Sequence, residues 1–453
     1  MIFGIFLLLA YLVFIFLIIE KIYSGNLFYI SFYLFLFLPI YSVFQLLIFK
    51  TTQNTLLIDL IKYSKDFVIY SSFIIFIIGY KKQLIDINFK ITILDKLIFL
   101  FSIISIFYCL IPLGEASFFA KAVYLKNILL IGIAYFFGRN IEINAEKFHF
   151  IKKSIIIVFL FAFIVSSLEF LTGFHLHSLL DFGNYNLQLN GIEPTGNYGL
   201  SWSFERTPDR PRFASFFPNP LEFSANLLLF LSVPLYAITH NSRALNFNLT
   251  ISLLISICFF YAYTRASIIS AFLMIFLALL VSKNYKVLIK IFSLIFLSIF
   301  IFFIFSDEDA LYFILDTLMF RESSSLSHLL EWIQSILSII ENPFGIGLAM
   351  SGNASTVDQS IKIGGENQFL IYGVQMGLFT IFVYSLILYK SISNSFYAYR
   401  NSKDFKKELC FIAGITKFGL IIPLVTSNAE LALYISLISW FLIGNVQRIL
   451  IKI

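Results

Sequence analysis

The sequence predicts an all-α, polytopic integral membrane protein with about 12–13 transmembrane helices and two long extracytoplasmic loops. Three observations predict it. Apolar residues make up 59% of 453 positions and charged residues only 13%, too few to cover a water-facing body. Apolar runs of about 20 residues recur from one end of the chain to the other, each long enough to cross a bilayer as a helix. Basic residues gather in alternate short connections. Together with a mean hydropathy of +0.89, this excludes a cytosolic enzyme and a disulfide-stapled secreted domain. Continuous apolar runs also exclude a transmembrane β-barrel, whose strands alternate apolar and polar residues.

In order, the runs predict spans near 2–19, 27–49, 66–80, 94–112, 120–138, 152–172, 221–238, 247–263, 266–282, 285–305, 367–389, 408–425 and 430–449. The first run lacks a basic flank before it and meets Glu20-Lys21 after it, so it reads as a span rather than a cleaved signal. Span 66–80 is short and is approached by Asp59, Lys62, Lys65 and Asp66, which leaves the N-terminal parity open. Cys109, Cys258 and Cys410 each sit inside an apolar run with no CxxC spacing, so they read as core residues. The whole chain, 1–453, reads as one membrane domain. Its two long polar connections are 173–220 and 306–366. Neither can cross hydrocarbon unless protein encloses it.

Alternating the spans puts both long connections on one side. The other side then carries 20 of the 32 basic residues, which by the positive-inside rule makes it cytoplasmic. Lysine and arginine divide differently. Of the 23 Lys, 16 fall inside, whereas five of nine Arg fall outside: Arg206, Arg210, Arg212, Arg265 and Arg321. Inside lysines need only charge to orient the chain. Arginine's planar fork suits phosphate or carboxylate. The net charge of +6 is therefore largely an orientation signal, and no nucleic-acid partner is implied.

The outer loops hold the candidate chemistry. Arg206, Arg210 and Arg212 fall within seven residues, and Pro218-Asn219-Pro220 then turns the chain into span 221–238. The exposed N–H groups of that helix start would add to a positive field suited to phosphate. Alternatively, Arg206 and Arg210 pair locally with Glu205 and Asp209. Arg265 lies between two apolar spans, where it needs water or an anion unless it snorkels to the headgroups. In the second loop, after Arg321, residues 327–340 have helical apolar spacing and predict an amphipathic helix over the membrane face, containing Trp332. Asn342-Pro343 stops it, Gly345 and Gly347 form a turn, and 350–365 is polar and glycine-rich. Glu366 and Asn367 then begin the next span. Glu366 is the candidate general base, although it could equally be an acid that favours the helix dipole. Glu430 is its rival, and Glu115 and Lys126 could join the same cavity. The five His show no zinc-ligand spacing, and there is no nucleotide-binding glycine loop. The reading is a metal-free anion site with no cofactor.

Four segments in order, over about 200–390, resemble the O-antigen ligase/polymerase family, the Wzy-type repeat-unit polymerases among them. Arg212-Phe-Ala-Ser-Phe-Phe-Pro-Asn219-Pro resembles its Arg…Phe…Pro-Asn segment, and Thr264-Arg265 its Ser/Thr-Arg hairpin. Arg321…Trp332…Asn342-Pro-Phe-Gly345-Ile-Gly347 resembles its second loop, and Glu366-Asn367-Gln-Phe-Leu…Gly373…Gly377 its His/Glu-Asn helix start. The resemblance implies an enzyme of the bacterial cytoplasmic membrane with its site on the outer face. Such enzymes transfer a glycan from polyprenyl pyrophosphate to a hydroxyl, without metal or nucleotide. It implies Arg212 and Arg265 as pyrophosphate binders, Arg210 as the alternative for Arg212, Arg321 as a further contact, and Glu366 as the base, with Asn219, Asn367 and Trp332 beside them; Arg206 is a further substrate-binding candidate from its place in the first loop. Ligases that build on lipid A–core carry His where this chain has Glu366. The departure favours a polymerase of O-antigen, capsule or exopolysaccharide, whose donor and acceptor are both lipid-linked oligosaccharides and whose partners could include a chain-length regulator. A ligase is the same-class alternative. A flippase or transporter is the remaining one, against which stand the apolar spans and the polar residues gathered in two loops.

Overall fold

The computed structural model describes residues 2–81, 90–207, 210–240, 245–284, 323–353, 357–358 and 360–453. Helices account for nearly all of its regular structure. α1 spans Ile2–Tyr23. α2, Leu27–Thr52, passes through a π-helical stretch at Tyr33–Phe37 before resuming as an α-helix. Next come α3 (Thr55–Lys81), α4 (Ile93–Leu110), α5 (Phe118–Asn140) and α6 (Ala145–Thr172). The first loop carries two short helices, α7 (Leu176–Leu179) and α8 (Phe182–Asn190), and a two-stranded antiparallel hairpin, β1 (Glu205–Thr207) with β2 (Arg210–Pro211). α9 (Pro220–Thr239), α10 (Leu245–Ala262) and α11 (Arg265–Val281) follow. After the second loop's α12 (Ser323–Glu341) come α13 (Gln368–Met376), α14 (Leu378–Asn401), α15 (Asp404–Gly419), α16 (Ile421–Thr426) and α17 (Leu433–Lys452).

Among the described residues nine helical stretches are long and apolar enough to cross a membrane, and α11 is a shorter apolar helix. The protein is thus an all-α polytopic membrane protein. The predicted span at 285–305 lies outside the described residues. The predicted span 66–80 is the second half of a longer helix, α3. The 327–340 expectation is met by α12, with a turn more at its start.

Burial sorts the helices into centre and rim. α17, α9 and the α15–α16 stretch are mostly buried, whereas α1 and α4 expose most of their length. Exposed Phe3, Phe6, Val13 and Phe16 of α1 present an apolar face suited to lipid. α5 and α17 pack backbone against backbone. A Cβ on Gly138 would stand 1.9 Å from the Phe441 carbonyl oxygen, and one on Gly444 2.1 Å from that of Tyr135. In lipid, helix association rests on such close backbone approach, because lipid tails are as apolar as leucine.

The two ends of the bundle differ in charge chemistry. At one end, basic groups stitch helix termini together. Lys152 pairs with Glu408 at 2.8 Å, Lys452 with Glu142 at 2.6 Å and Arg139 with Asp95 at 3.5 Å, and Arg448 donates to the Asn140 carbonyl at 2.7 Å. The opposite end carries the first loop, the starts of α9, α11 and α13, and α12.

Candidate functional site

The arginine segment is held by backbone contacts on both sides. Upstream of α9, the Ser215 N–H donates to Glu169 Oε2 at 2.8 Å, and the Leu176 N–H donates to Glu169 Oε1 at the same distance. One buried carboxylate at the end of α6 therefore fixes both the beginning and the end of the first loop. Ser215 adopts φ +55°, and its hydroxyl donates to the Ala162 carbonyl at 3.0 Å. A left-handed conformation in a residue other than glycine persists only where its surroundings over-determine it. Here Glu169 and Ala162 do so.

The hairpin then leans on the turn between α10 and α11. The Phe213 N–H donates to the Tyr261 carbonyl at 3.1 Å, and Arg210 Nη1–H donates to the Tyr263 hydroxyl at 3.1 Å. Tyr263 is itself left-handed, at φ +46°. Two residues later Arg265 opens α11, half-buried, while the Ser224 and Ser267 hydroxyls meet at 3.0 Å and tie α9 to α11. The structure therefore brings Arg210, Arg212 and Arg265 to one corner, where α9 and α11 both start. Arg210 bonds to Tyr263, and Glu205 accepts from the Asn197 N–H at 2.7 Å. Arg206 lies on β1, and Arg321 lies outside the described residues. Asn219 caps α9, accepting from the Glu222 N–H at 2.9 Å.

Behind this corner sit His175 and His177, buried among Tyr198, Phe204, Phe213 and Phe182. Burial pushes their imidazoles down to about 4 and about 3, with each other's charge a secondary cause for His177. At neutral pH both are uncharged packing groups beneath the arginine loop.

The second half of the site is built by the loop after α12. Gly345 and Gly347 do more than turn the chain. The Ile346 and Gly347 N–H groups donate to the Val374 and Gln375 carbonyls at 2.8 and 3.1 Å, and the Pro343 carbonyl accepts from the Leu378 N–H at 2.9 Å. The predicted span 367–389 is accordingly two helices, broken at Gly377 (φ +83°), and the loop satisfies the backbone groups that the break releases. A Cβ on Gly345 would stand 2.6 Å from the Gln375 carbonyl oxygen, so the clasp needs glycine there.

This clasp sets α12 beside the start of α13. Trp332 Nε1–H donates to the Glu366 carbonyl at 2.8 Å, and His328 Nδ1 lies directly against Glu366 Oε2. Lys362 pairs with Glu331 at 3.7 Å one turn along. Asn367 caps α13, accepting from the Phe369 and Leu370 N–H groups at 3.0 and 3.2 Å. The structure thus gathers Glu366, Asn367 and Trp332 as a second group and adds His328, which no motif in the sequence singles out. The helical spacing of 328 and 332 was the available signal. Nothing local pointed to Glu366 as the partner.

Between the two groups runs α16, which packs against both α11 and α13. It leads into the Asn428–Glu430 turn. Glu430 is no freely exposed rival base. Its Oε1 accepts from Tyr384 at 2.6 Å and lies 3.5 Å from Lys417 Nζ, and its Oε2 accepts from Ser436 at 2.6 Å and Trp440 at 3.1 Å. Lys417 is fully buried and stands 3.6 Å from the centre of the Trp440 ring. A small cavity of about 10 Å³, lined by Tyr124, Gln368, Asn428 and Glu430 among others, adjoins the turn. It holds room for one water. Lys126 pairs with the buried Asp66 of α3, while Glu115 is exposed.

Residues 250–385 match the family model described as O-antigen ligase. The matched stretch contains Arg265, Arg321, His328, Trp332, Glu366 and Asn367, whereas Arg206, Arg210, Arg212 and Asn219 precede it. No curated protein matches the chain.

Proposed function

We propose, for a chain that carries a domain of the O-antigen ligase/polymerase type, that it polymerises a surface glycan by transferring a growing chain from polyprenyl pyrophosphate to a lipid-linked repeat unit. The site faces the outer side of the bacterial cytoplasmic membrane. The observation that carries this reading is the corner formed by Arg210, Arg212 and Arg265, held against the Tyr261–Tyr263 turn within a membrane bundle. Arg212 and Arg265 bind the pyrophosphate and offset the charge that develops as it leaves. Arg210, Arg206 and Arg321 add to the field that draws the donor in. The polyprenyl tail lies along the apolar helices, and the Glu366 carboxylate serves the acceptor side, where a hydroxyl must lose its proton. Asn219 and Asn367 fix the two helix starts, and Trp332 fixes the Glu366 backbone.

A ligase reading draws on one specific observation. The imidazole of His328 against Glu366 supplies here the group that ligases carry at that place. Purified protein reconstituted with lipid-linked repeat units, with and without lipid A–core, separates the two. Ladders without core support polymerase, and product only after core is added supports ligase. No transferred glycan in either case overturns the proposal.

A further inference from the structure

The contact between α12 and the start of α13 assigns the base more closely. We infer that His328 and Glu366 form a catalytic dyad in which His328 takes the acceptor's proton and Glu366 holds the imidazole. The inference rests on the proposed glycan transfer.

His328 sits on the face of α12 that also carries Glu331, Trp332 and Ser335, all turned toward the 362–366 loop. Its Nδ1 is buried against Glu366 Oε2, yet about a third of its side chain remains exposed. Glu366 is also partly exposed, and its backbone is pinned by Trp332. A carboxylate against one ring nitrogen fixes that nitrogen as the proton donor. The lone pair then resides on the other, Nε2. An imidazole so oriented suits proton abstraction better than the carboxylate alone, because the carboxylate stabilises the imidazolium as it forms. Among the described residues, Glu331 and Lys362 are charged groups on the packed elements, and they pair with each other at 3.7 Å.

The step balances without any further reagent. The acceptor hydroxyl oxygen forms a bond to the anomeric carbon of the donor, and its proton passes to His328 Nε2. The bond from that carbon to the pyrophosphate oxygen breaks, and the electron pair leaves with the polyprenyl pyrophosphate, whose charge the arginines hold. His328 then returns its proton to water or to the departing phosphate, and Glu366 stays ionised throughout.

The test uses the full chain in proteoliposomes, supplied with lipid-linked repeat units extracted from cells that lack the protein. For wild type, kcat/KM is expected to rise with pH with a slope of one on the acid side. His328→Gln and His328→Ala are each expected to lower kcat about 100-fold or more. Donor KM should move less than about threefold, and the acid limb should disappear. Added imidazole is expected to restore part of the His328→Ala rate, which a merely structural residue would not allow. Glu366→Gln in the His328→Gln background should cost little further, since the pair acts as a unit. Wild-type transfer with a His328→Gln rate within about threefold and an unchanged acid limb would overturn the dyad while leaving the glycan transfer standing. Absence of transfer by wild type would overturn the glycan transfer itself, and the dyad with it.

Discussion

Lys417→Met removes the positive half of the buried pair at the centre of the bundle while keeping the length of the side chain. Glu430 would keep its hydrogen bonds from Tyr384, Ser436 and Trp440 but lose the Lys417 ammonium 3.5 Å away, its charged partner among the described residues. Breaking a buried pair at one end costs about 3–5 kcal/mol, because the remaining charge stays desolvated. Glu430→Gln leaves the Lys417 ammonium with Ser439 at 3.2 Å and the Trp440 ring, and should cost a similar amount. The double variant removes both charges, so its loss should fall short of the sum by about 1–3 kcal/mol. Thermal unfolding of purified protein in detergent, followed by intrinsic fluorescence, reads these differences. Single variants should melt about 3–5 °C below wild type, and the double variant should lose less than the sum of the two single losses. Singles that melt within about 1 °C of wild type, or losses that simply add, would refute a mutually dependent pair.

Further outcomes follow from other contacts. Arg212→Lys and Arg265→Lys keep the charge but lose the planar fork, and each should lower transfer about 10- to 100-fold at unchanged protein yield; wild-type rates in both would remove these residues from pyrophosphate binding. Glu169→Gln sets an amide N–H against one of two backbone donors, Leu176 or Ser215, so hydrogen exchange over 210–218 should rise and transfer should fall. A protected, active variant would show that the loop is held elsewhere. Gly138→Val or Gly444→Val drives a side chain into a facing carbonyl and should cost more than about 3 kcal/mol, read as loss of folded protein. His175 and His177 are depressed in the folded state, so the unfolded chain binds more protons once pH falls below the ordinary histidine value near about 6.5. Stability should therefore fall with pH from there down to about 4 and about 3. Replacing both with Phe should flatten that acid loss in a melting series from pH 7 to about 4.

The helices were legible in the sequence because a bilayer tolerates little else: about 20 apolar residues must close their own backbone bonds. α12 was legible for another reason, the 3.6-residue spacing of its apolar stripe. The arginine corner was legible in part. Arg210, Arg212 and Arg265 stood out by residue type and position, but the turn that joins them depends on Glu169, which lies inside an apolar run and carries no local signal. The break at Gly377 carries no local signal in an apolar run, because the loop that caps it lies upstream, between α12 and α13. Lys417 and Glu430 sit on separate helices, and each alone reads as a stray charge. His328 shows no zinc-ligand spacing, and its carboxylate partner is brought near only by the clasp. What escaped was tertiary pairing, which neither composition nor period encodes.

α12 carries a consequence of its own. Its outward stripe of Leu326, Leu330, Ile333, Leu337 and Ile340 is exposed, while its inward face bears His328 and Trp332. A helix so divided rests in the interfacial layer of a bilayer, with its apolar side among the upper acyl chains. The depth of the proposed base is then set partly by the thickness and packing of the surrounding lipid, while the arginine corner is held by the turn between α10 and α11. Turnover should vary with acyl-chain length even where donor binding does not, which would make the bilayer a structural component of the site.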